Sequence, residues 1–299
     1  MRTFIRRSIL FVCSIVCTHA LAQQHIARVD QAYATIPFSG WPQGMASEEI
    51  AGGTLIFYIA FDDSIKGFIN VYSQSNGGDL VEIRSLPLPH NLKHANDIQL
   101  HGDSLLITGW KKDRTSDLGW IDKHAGRVID TMKVTAPEGK WLQFSFVYRD
   151  TVFVGVSNES QVSILKYVNG NLIPFVENLR PSSLPSASVI IQGSKVVGHY
   201  LVVQESSPTR MDIYDLSNHC KYIRSYYGEY DAAKKAPESE GLGYVHMNKK
   251  HVFFSSMVHP GNPMSEINAI CIEEGQFPSC GKGRCTCTLK VPLSSVRRK

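Results

Sequence analysis

A polar residue followed by a small or apolar pair recurs along the chain and suggests a binding site. It occurs as Gln43-Gly44-Met45, Asn96-Asp97-Ile98, Gln143-Phe144-Ser145 and Glu240-Gly241-Leu242, with a serine of the Ser186/Ser188 pair at the same place in another unit. Two residues before the polar position stand Trp41, His94, Trp141 and Glu238. Amides bond hydroxyls in both directions and indole faces stack on sugar rings, so the set suits a neutral polyhydroxylated ligand.

Four of these residues are also candidate acids and bases: Glu240, Glu238, His94 and Asp97. Either glutamate with Asp97 makes a carboxyl pair of the kind that glycoside hydrolysis uses, and His94 beside Asp97 makes a base with an orienting acid. The competing interpretation is structural, with polar side chains satisfying backbone groups and the tryptophans packing between units. No Gly-x-Ser-x-Gly, His-Glu-x-x-His or phosphate-loop motif occurs, so enzyme and binding protein both stay open.

The same oxygens are candidate ligands for calcium, the one cofactor that the sequence suggests. Asn96, Asp97, Glu238 and Glu240, with the Gln43 carbonyl and water, supply the hard oxygen donors that Ca²⁺ takes. Because formal charges are few, such a site is weak unless a bound substrate adds ligands.

The elements that position these residues repeat five times. Units begin near residues 43, 96, 143, 188 and 240, about 45 to 53 residues apart. The β-rich runs that follow are Thr54–Ala60, Ser104–Gly109, Thr151–Val156, Tyr200–Gln204 and His251–Ser256. This period is typical of four-stranded propeller blades, whose first strands line a central channel. We therefore predict an all-β, single five-bladed propeller, with a six-bladed ring as the alternative, and expect the polar residues to converge at one channel mouth.

The first strand of the mature chain has no unit of its own. Residues Ile26–Ile36 are rich in β-branched and aromatic types and resemble the outer strand of a blade. We predict that this strand pairs with the last blade and closes the ring, which removes open sheet edges.

Residues 1–22 have the features of a cleaved secretory signal. They are Arg2, Arg6 and Arg7, an apolar run from Ile9 to Val16, and Ala20-Leu21-Ala22. Arg6-Arg7 also fits a twin-arginine signal. The apolar run is too short to span a bilayer, so no membrane anchor is expected. The predicted product is a secreted or periplasmic domain of residues 23–299.

The charge balance excludes a nucleic-acid footprint. The whole chain has 31 Lys+Arg and 27 Asp+Glu, and three of those arginines lie in the signal. The rest is almost neutral, without a basic patch for phosphates. The expected partner is a glycan or an envelope polymer, or another secreted protein.

The cysteines outside the signal cluster in the last third: Cys220, Cys271, Cys280, Cys285 and Cys287. An exported chain favours disulfides, and we expect at least one bond within 271–287, in a Cys-containing C-terminal segment, 271–299. Five is an odd number, so one thiol is free, pairs between chains or binds something else.

Two segments resemble a known family. His94-Ala95-Asn96-Asp97-Ile98 and Glu238-Ser239-Glu240-Gly241-Leu242, with Gln43-Gly44-Met45, are similar to the H-x-N-D, E-x-E-G and Q-G signatures of propellers related to teichoic-acid biosynthesis protein C and to phage receptor-binding proteins. The resemblance implies a five-bladed propeller that engages cell-surface glycopolymers. The signal peptide and the Cys-bearing tail depart from that pattern.

A second resemblance is to gluconolactonase/strictosidine-synthase-like propellers, which bind a divalent metal. Glu48 or Glu49, Asn96 and Asp97 correspond to parts of that metal set. Three hypotheses follow in order: a secreted glycan-binding module, a calcium-dependent lactonase or esterase, and a scaffold for another protein.

Overall fold

The computed structural model describes residues 25–28, 30–36, 40–62, 66–75, 78–111, 115–158, 161–179, 190–205, 210–229, 238–258, 265–274 and 277. Two strands, β1 (His25–Arg28) and β2 (Asp30–Ile36), precede the first blade. The signal peptide and Cys280, Cys285 and Cys287 lie outside the described residues.

Nineteen further strands form five antiparallel arrays in chain order. Blade 1 contains β3 (Trp41–Ile50), β4 (Thr54–Asp62), β5 (Gly67–Gln74) and β6 (Val81–Pro87). Blade 2 contains β7 (Ala95–His101), β8 (Ser104–Gly109), β9 (Thr115–Asp122) and β10 (Val128–Thr135). Blade 3 contains β11 (Trp141–Tyr148), β12 (Thr151–Ser157), β13 (Val162–Val168) and β14 (Asn171–Val176). Blade 4 contains β15 (Ile191–Val197), β16 (Tyr200–Glu205), β17 (Arg210–Asp215) and β18 (Lys221–Glu229). Blade 5 contains β19 (Glu238–Met247), β20 (Lys250–Val258) and β21 (Ser265–Glu273).

The five innermost strands contact one another in a closed ring, in the order β3, β7, β11, β15, β19 and back to β3. The predicted five-bladed propeller is therefore confirmed, and the six-bladed alternative is wrong. Two single-turn 3-10 segments, His90–Leu92 and Leu216–Asn218, are the helical elements among the described residues. No helix in this described part has the length and apolar character needed to cross a bilayer.

The core consists of five separate clusters, one between each pair of neighbouring blades. Strand β4 shows why, because side chains alternate between the faces of a strand. Phe57 and Ile59 pack against blade 5, whereas Ile56 and Tyr58 pack against blade 2. Strands buried on both faces need the continuous apolar runs seen in the sequence.

The N-terminal segment closes the ring in two steps. Strand β2 pairs antiparallel with β21 and completes blade 5, as predicted. The single strand expected over Ile26–Ile36 instead ends at Arg28 and restarts at Asp30, and β1 pairs parallel with β18 of blade 4. The segment thus ties two blades together, a change of partner that strand composition alone does not reveal.

Deleting residues 23–38 is expected to open the ring. Strand β21 then becomes a bare edge with unpaired backbone groups, so the variant should self-associate and melt at a lower temperature. Size-exclusion chromatography and thermal melting measure both effects, with removal of residues 1–22 alone as the control. A truncated protein that stays monomeric with an unchanged melting temperature would refute this closure.

Candidate functional site

A β-bulge near the start of each inner strand turns polar side chains toward the channel axis. The inserted residue is Asn96 in β7, Gln143 in β11 and Gln192 in β15. A bulge bends its strand and lifts the extra residue out of the regular pairing, which re-aims its side chain. The convergence of these positions therefore comes from a repeated backbone irregularity.

In β19 the inserted residue is Gly241, and the polar residue Glu240 comes one position earlier. In β3 the irregularity contains both Gln43 and Gly44. Gly241 has φ +74°, and a Cβ there would lie 2.4 Å from the backbone oxygen of Gln43. A Cβ on Gly44 would lie 2.7 Å from the backbone oxygen of Ala95. Glycine lets blades 5, 1 and 2 approach closely at the axis.

The inner strands surround a cavity of about 420 Å³ at one end of the channel, here called the mouth cavity. It is lined by Trp41, Gln43, His94, Asn96, Trp110, Trp141, Gln143, Ser157, Asn158, Ile190, Gln192 and Glu240. Its volume lies within the range of small-molecule sites. Three of the chain's four tryptophans lie here.

The structure brings seven of the predicted site residues together in this cavity: Trp41, Gln43, His94, Asn96, Trp141, Gln143 and Glu240. Ser186 and Ser188 lie outside the described residues, and Gln192 represents blade 4 in the cavity. The dipeptide Gln192-Gly193 repeats Gln43-Gly44, a signal that the sequence reasoning missed. Trp110 follows the second strand of its blade, so no pattern in the first strands indicated it.

Asn96 is a structural tie between blades. Its side-chain Nδ2 donates to the backbone oxygen of Gln143 at 2.6 Å and to that of Ile191 at 3.0 Å, so it joins blade 2 to blades 3 and 4. In contrast, the carboxamides of Gln43, Gln143 and Gln192 have no protein hydrogen-bond partner in the described part of the chain. These three amides are available to a ligand.

Glu240 is a buried carboxyl group, with 4% of its surface exposed. Burial, reinforced by the charge of Glu238, raises its pKa to about 8, although a hydrogen bond from Trp41 opposes the shift. That bond runs from the Trp41 indole Nε1 to Glu240 Oε1 at 3.3 Å. At neutral pH the cavity therefore contains a protonated carboxylic acid that can donate a hydrogen bond or a proton.

His94 is paired with a different acid from the one expected. Its Nδ1 lies 3.0 Å from Asp62 Oδ2, at the end of β4, and its ring contacts Trp110 with the centroids 5.1 Å apart. The expected pairing with Asp97 is wrong because the side chain of Asp97 points into the channel, away from the mouth. Asp62 fixes the orientation of the imidazole, leaving Nε2 for other contacts.

A polar cluster of Asp97, Gln99, Ser194 and Lys195, here called the plug, connects β7 and β15. Asp97 is fully buried and accepts hydrogen bonds from Ser194 Oγ at 2.8 Å and Gln99 Nε2 at 2.9 Å. Lys195 Nζ lies 3.5 Å from Asp97 Oδ1 and donates to the backbone oxygens of Ile98 and Ser194. Burial lowers the pKa of Lys195, and the charge of Asp97 opposes this shift. All four plug residues are buried, and Gln99 and Lys195 also line a second cavity, which shares no residue with the mouth cavity.

Comparisons with known proteins find similar structures but no similar sequence. No protein-family model and no curated protein sequence matches the chain at a significant level. The glutaminyl cyclase of Myxococcus xanthus matches with a TM-score of 0.51 and 10% identity, over 84% of this chain and 99% of that one. A β-1,2-mannobiose phosphorylase from Listeria innocua (TM-score 0.49, 10% identity, 84% and 91% of the chains) and a glycosyl hydrolase from Bacteroides ovatus (0.48, 9%, 84% and 91%) also match. At such identities the likeness shows the propeller fold alone.

The predicted resemblance to teichoic-acid and phage propellers is supported only at the level of the five-bladed fold, since the similar structures are a glutaminyl cyclase and glycan-acting propellers and not the families named. The metal site stays a prediction. Of the four candidate ligands, Asp97 faces the amino group of Lys195, and Asn96 donates to two backbone oxygens. Among the described residues, no group of three or more His, Cys, Asp or Glu side chains is arranged to hold a metal ion.

The described cysteines do not test the expected disulfide. Cys220 and Cys271 are buried free thiols. A bond among the remaining three cysteines stays a prediction.

Proposed function

We propose that the protein binds a neutral glycan, or a repeating unit of an envelope polymer, in the mouth cavity. The observation that supports this most is the convergence of Trp41, Trp110 and Trp141 with the carboxamides of Gln43, Gln143 and Gln192. Indole faces cover the apolar side of a sugar ring, and amides serve its hydroxyls as both donors and acceptors.

The charge state of the cavity favours a neutral ligand. The protonated Glu240 adds a donor without adding a negative charge. The cation of Lys195 is held by Asp97 inside the plug, behind the cavity, so no basic group of the plug attracts an anion to the mouth.

The location that fits this ligand is outside the cytoplasm, secreted or periplasmic, as the predicted signal peptide suggests. A scaffold role for another secreted protein is the competing proposal. It predicts a broad contact area, whereas the indoles and amides here lie around a concave pocket of limited volume. A calcium-dependent hydrolase is less favoured, because Asp97 faces Lys195 and the amide group of Asn96 donates to two backbone oxygens.

Replacement of Trp141 by alanine is expected to weaken glycan binding by about 10- to 100-fold, because a stacking surface is lost from the pocket. The ligands are gluco-, manno-, galacto-, arabino- and xylo-oligosaccharides and purified cell-wall polymers. Quenching of tryptophan fluorescence detects binders, since three of the four tryptophans line the cavity. Isothermal titration calorimetry then measures the affinity.

The matched control is Trp120→Ala, which removes the one tryptophan outside the cavity. Trp120 lies on β9 and packs edge-on against His101. We expect it to leave affinity unchanged. Equal weakening by both substitutions, or the absence of any binder in the panel, would overturn the proposal.

A further inference from the structure

Two ionisable groups reach the mouth cavity from opposite sides of blade 1. Trp41 and Asp62 are directly opposite each other on β3 and β4. The Trp41 indole bonds to Glu240 of blade 5, whereas the Asp62 carboxylate bonds to His94 at the start of blade 2. The Trp41/Asp62 pair therefore holds Glu240 on one side and His94 on the other. Glu240 and His94 line the same pocket.

We propose that the mouth cavity hydrolyses a glycosidic bond of its ligand, with Glu240 as general acid and His94, oriented by Asp62, as general base. The inference rests on the proposed glycan binding and adds a reaction to it. No metal, nucleotide or redox partner is needed, because water is the only co-substrate.

The reaction balances with these groups alone. His94 Nε2 takes a proton from water as the water oxygen bonds to the anomeric carbon. The bond from the anomeric carbon to the leaving oxygen breaks, and that oxygen takes the proton of Glu240. The imidazolium then gives up its proton, and the carboxylate regains one through solvent, which restores both groups.

The hydrogen bond from Trp41 Nε1 supports the acid role, because it holds the Glu240 carboxyl group at the wall of the same pocket that His94 lines. The hydrogen bond to Asp62 supports the base role, because Nδ1 donates to the carboxylate and Nε2 is then the acceptor.

The proposed reaction predicts inversion of the anomeric configuration, because water attacks the anomeric carbon directly and no covalent intermediate forms. Inverting enzymes keep acid and base well apart to leave room for water, whereas retaining enzymes need a nucleophile close to the acid. The acid and the base here lie on either side of blade 1. Glu238, the nearest carboxyl in sequence to Glu240, is not among the residues that line the cavity.

The test compares two leaving groups on the sugar that binds best in the fluorescence screen. One substrate is the natural oligosaccharide, and the other is its 2,4-dinitrophenyl glycoside, whose leaving group needs no proton. Glu240→Gln should lower turnover of the oligosaccharide by about 10²- to 10⁴-fold and turnover of the aryl glycoside far less. His94→Gln should lower both to a similar extent, with binding retained.

Asp62→Asn is the second variant for the base. Because Asp62 only positions His94, its replacement should lower kcat and leave KM nearly unchanged. The matched control is His124→Gln, since His124 and Asp103 form a similar histidine–carboxylate pair at the surface, 3.4 Å apart, outside the cavity. This control should retain full turnover.

Each outcome decides between the two proposals. A ligand that quenches the cavity tryptophans but is never cleaved overturns the hydrolysis and leaves the binding proposal in place. Equal losses by Glu240→Gln on both substrates overturn the acid role, and retention of configuration by NMR overturns His94 as the base for water. If no glycan binds, both proposals fail.

Discussion

Replacement of Glu240 by glutamine is expected to stabilise the protein by about 3 kcal/mol at pH 7 and to have little effect near pH 4. The reason is the raised pKa of this buried carboxyl, about 8 in the folded protein against 4.5 as the ordinary value. Below pH 4.5 the group is protonated in both the folded and the unfolded chain. As the pH rises, the unfolded chain loses the proton first, and stability falls by about 1.4 kcal/mol per pH unit.

This loss ends near pH 8, where the folded carboxyl also ionises. Glutamine has no such proton, and its side-chain oxygen still accepts the bond from Trp41. Urea unfolding of wild type and variant at pH 4, 6, 7 and 8.5 measures the difference. Glu138→Gln, at an exposed turn, is the control and should show no such trend. A difference in unfolding free energy that does not change with pH would show that Glu240 is ionised in the folded state.

The second large effect is expected from the plug. Replacing Lys195 by methionine should destabilise the protein by about 3–5 kcal/mol, because Asp97 then stays buried without its cation. Asp97→Asn should destabilise by a similar amount, because it leaves the ammonium group unpaired. The double variant should be much more stable than the sum of the two losses predicts, since it buries no charge.

Chemical unfolding of the four proteins in a double-mutant cycle measures this coupling. The pair Lys111 and Asp117 provides the matched control, because their charged atoms are 2.7 Å apart but the lysine is 36% exposed. A pair in contact with solvent is worth less than about 1 kcal/mol. If the Asp97–Lys195 coupling is no larger than that of the control pair, the plug is hydrated.

The sequence alone predicts the repeat and the all-β class, and it shows which strand comes first in each blade. Each of these features depends on local spacing. Gln43, Asn96, Gln143 and Glu240 come at the start of strands that all face one axis, so the period predicts that they lie near one another, and the bulges then set the direction of their side chains. The outer-strand composition before Pro37 likewise predicted that the N terminus completes the last blade. Such patterns can be recognised in the sequence because each unit repeats the same geometry.

Which side chains pair with one another depends on contacts between different blades, and the spacing of residues along the sequence does not predict these contacts. His94 pairs with Asp62, which is 32 residues earlier, and not with Asp97, which is three residues later. The bulge at Asn96 explains this, since one inserted residue changes the direction of the next side chain and turns Asp97 toward Lys195. Trp110 reaches the cavity from the position after a second strand, and burial between blades raises the pKa of Glu240. Burial and register between blades, which arise only when the ring closes, therefore determine which of the polar residues can act as acid, base or ligand contact.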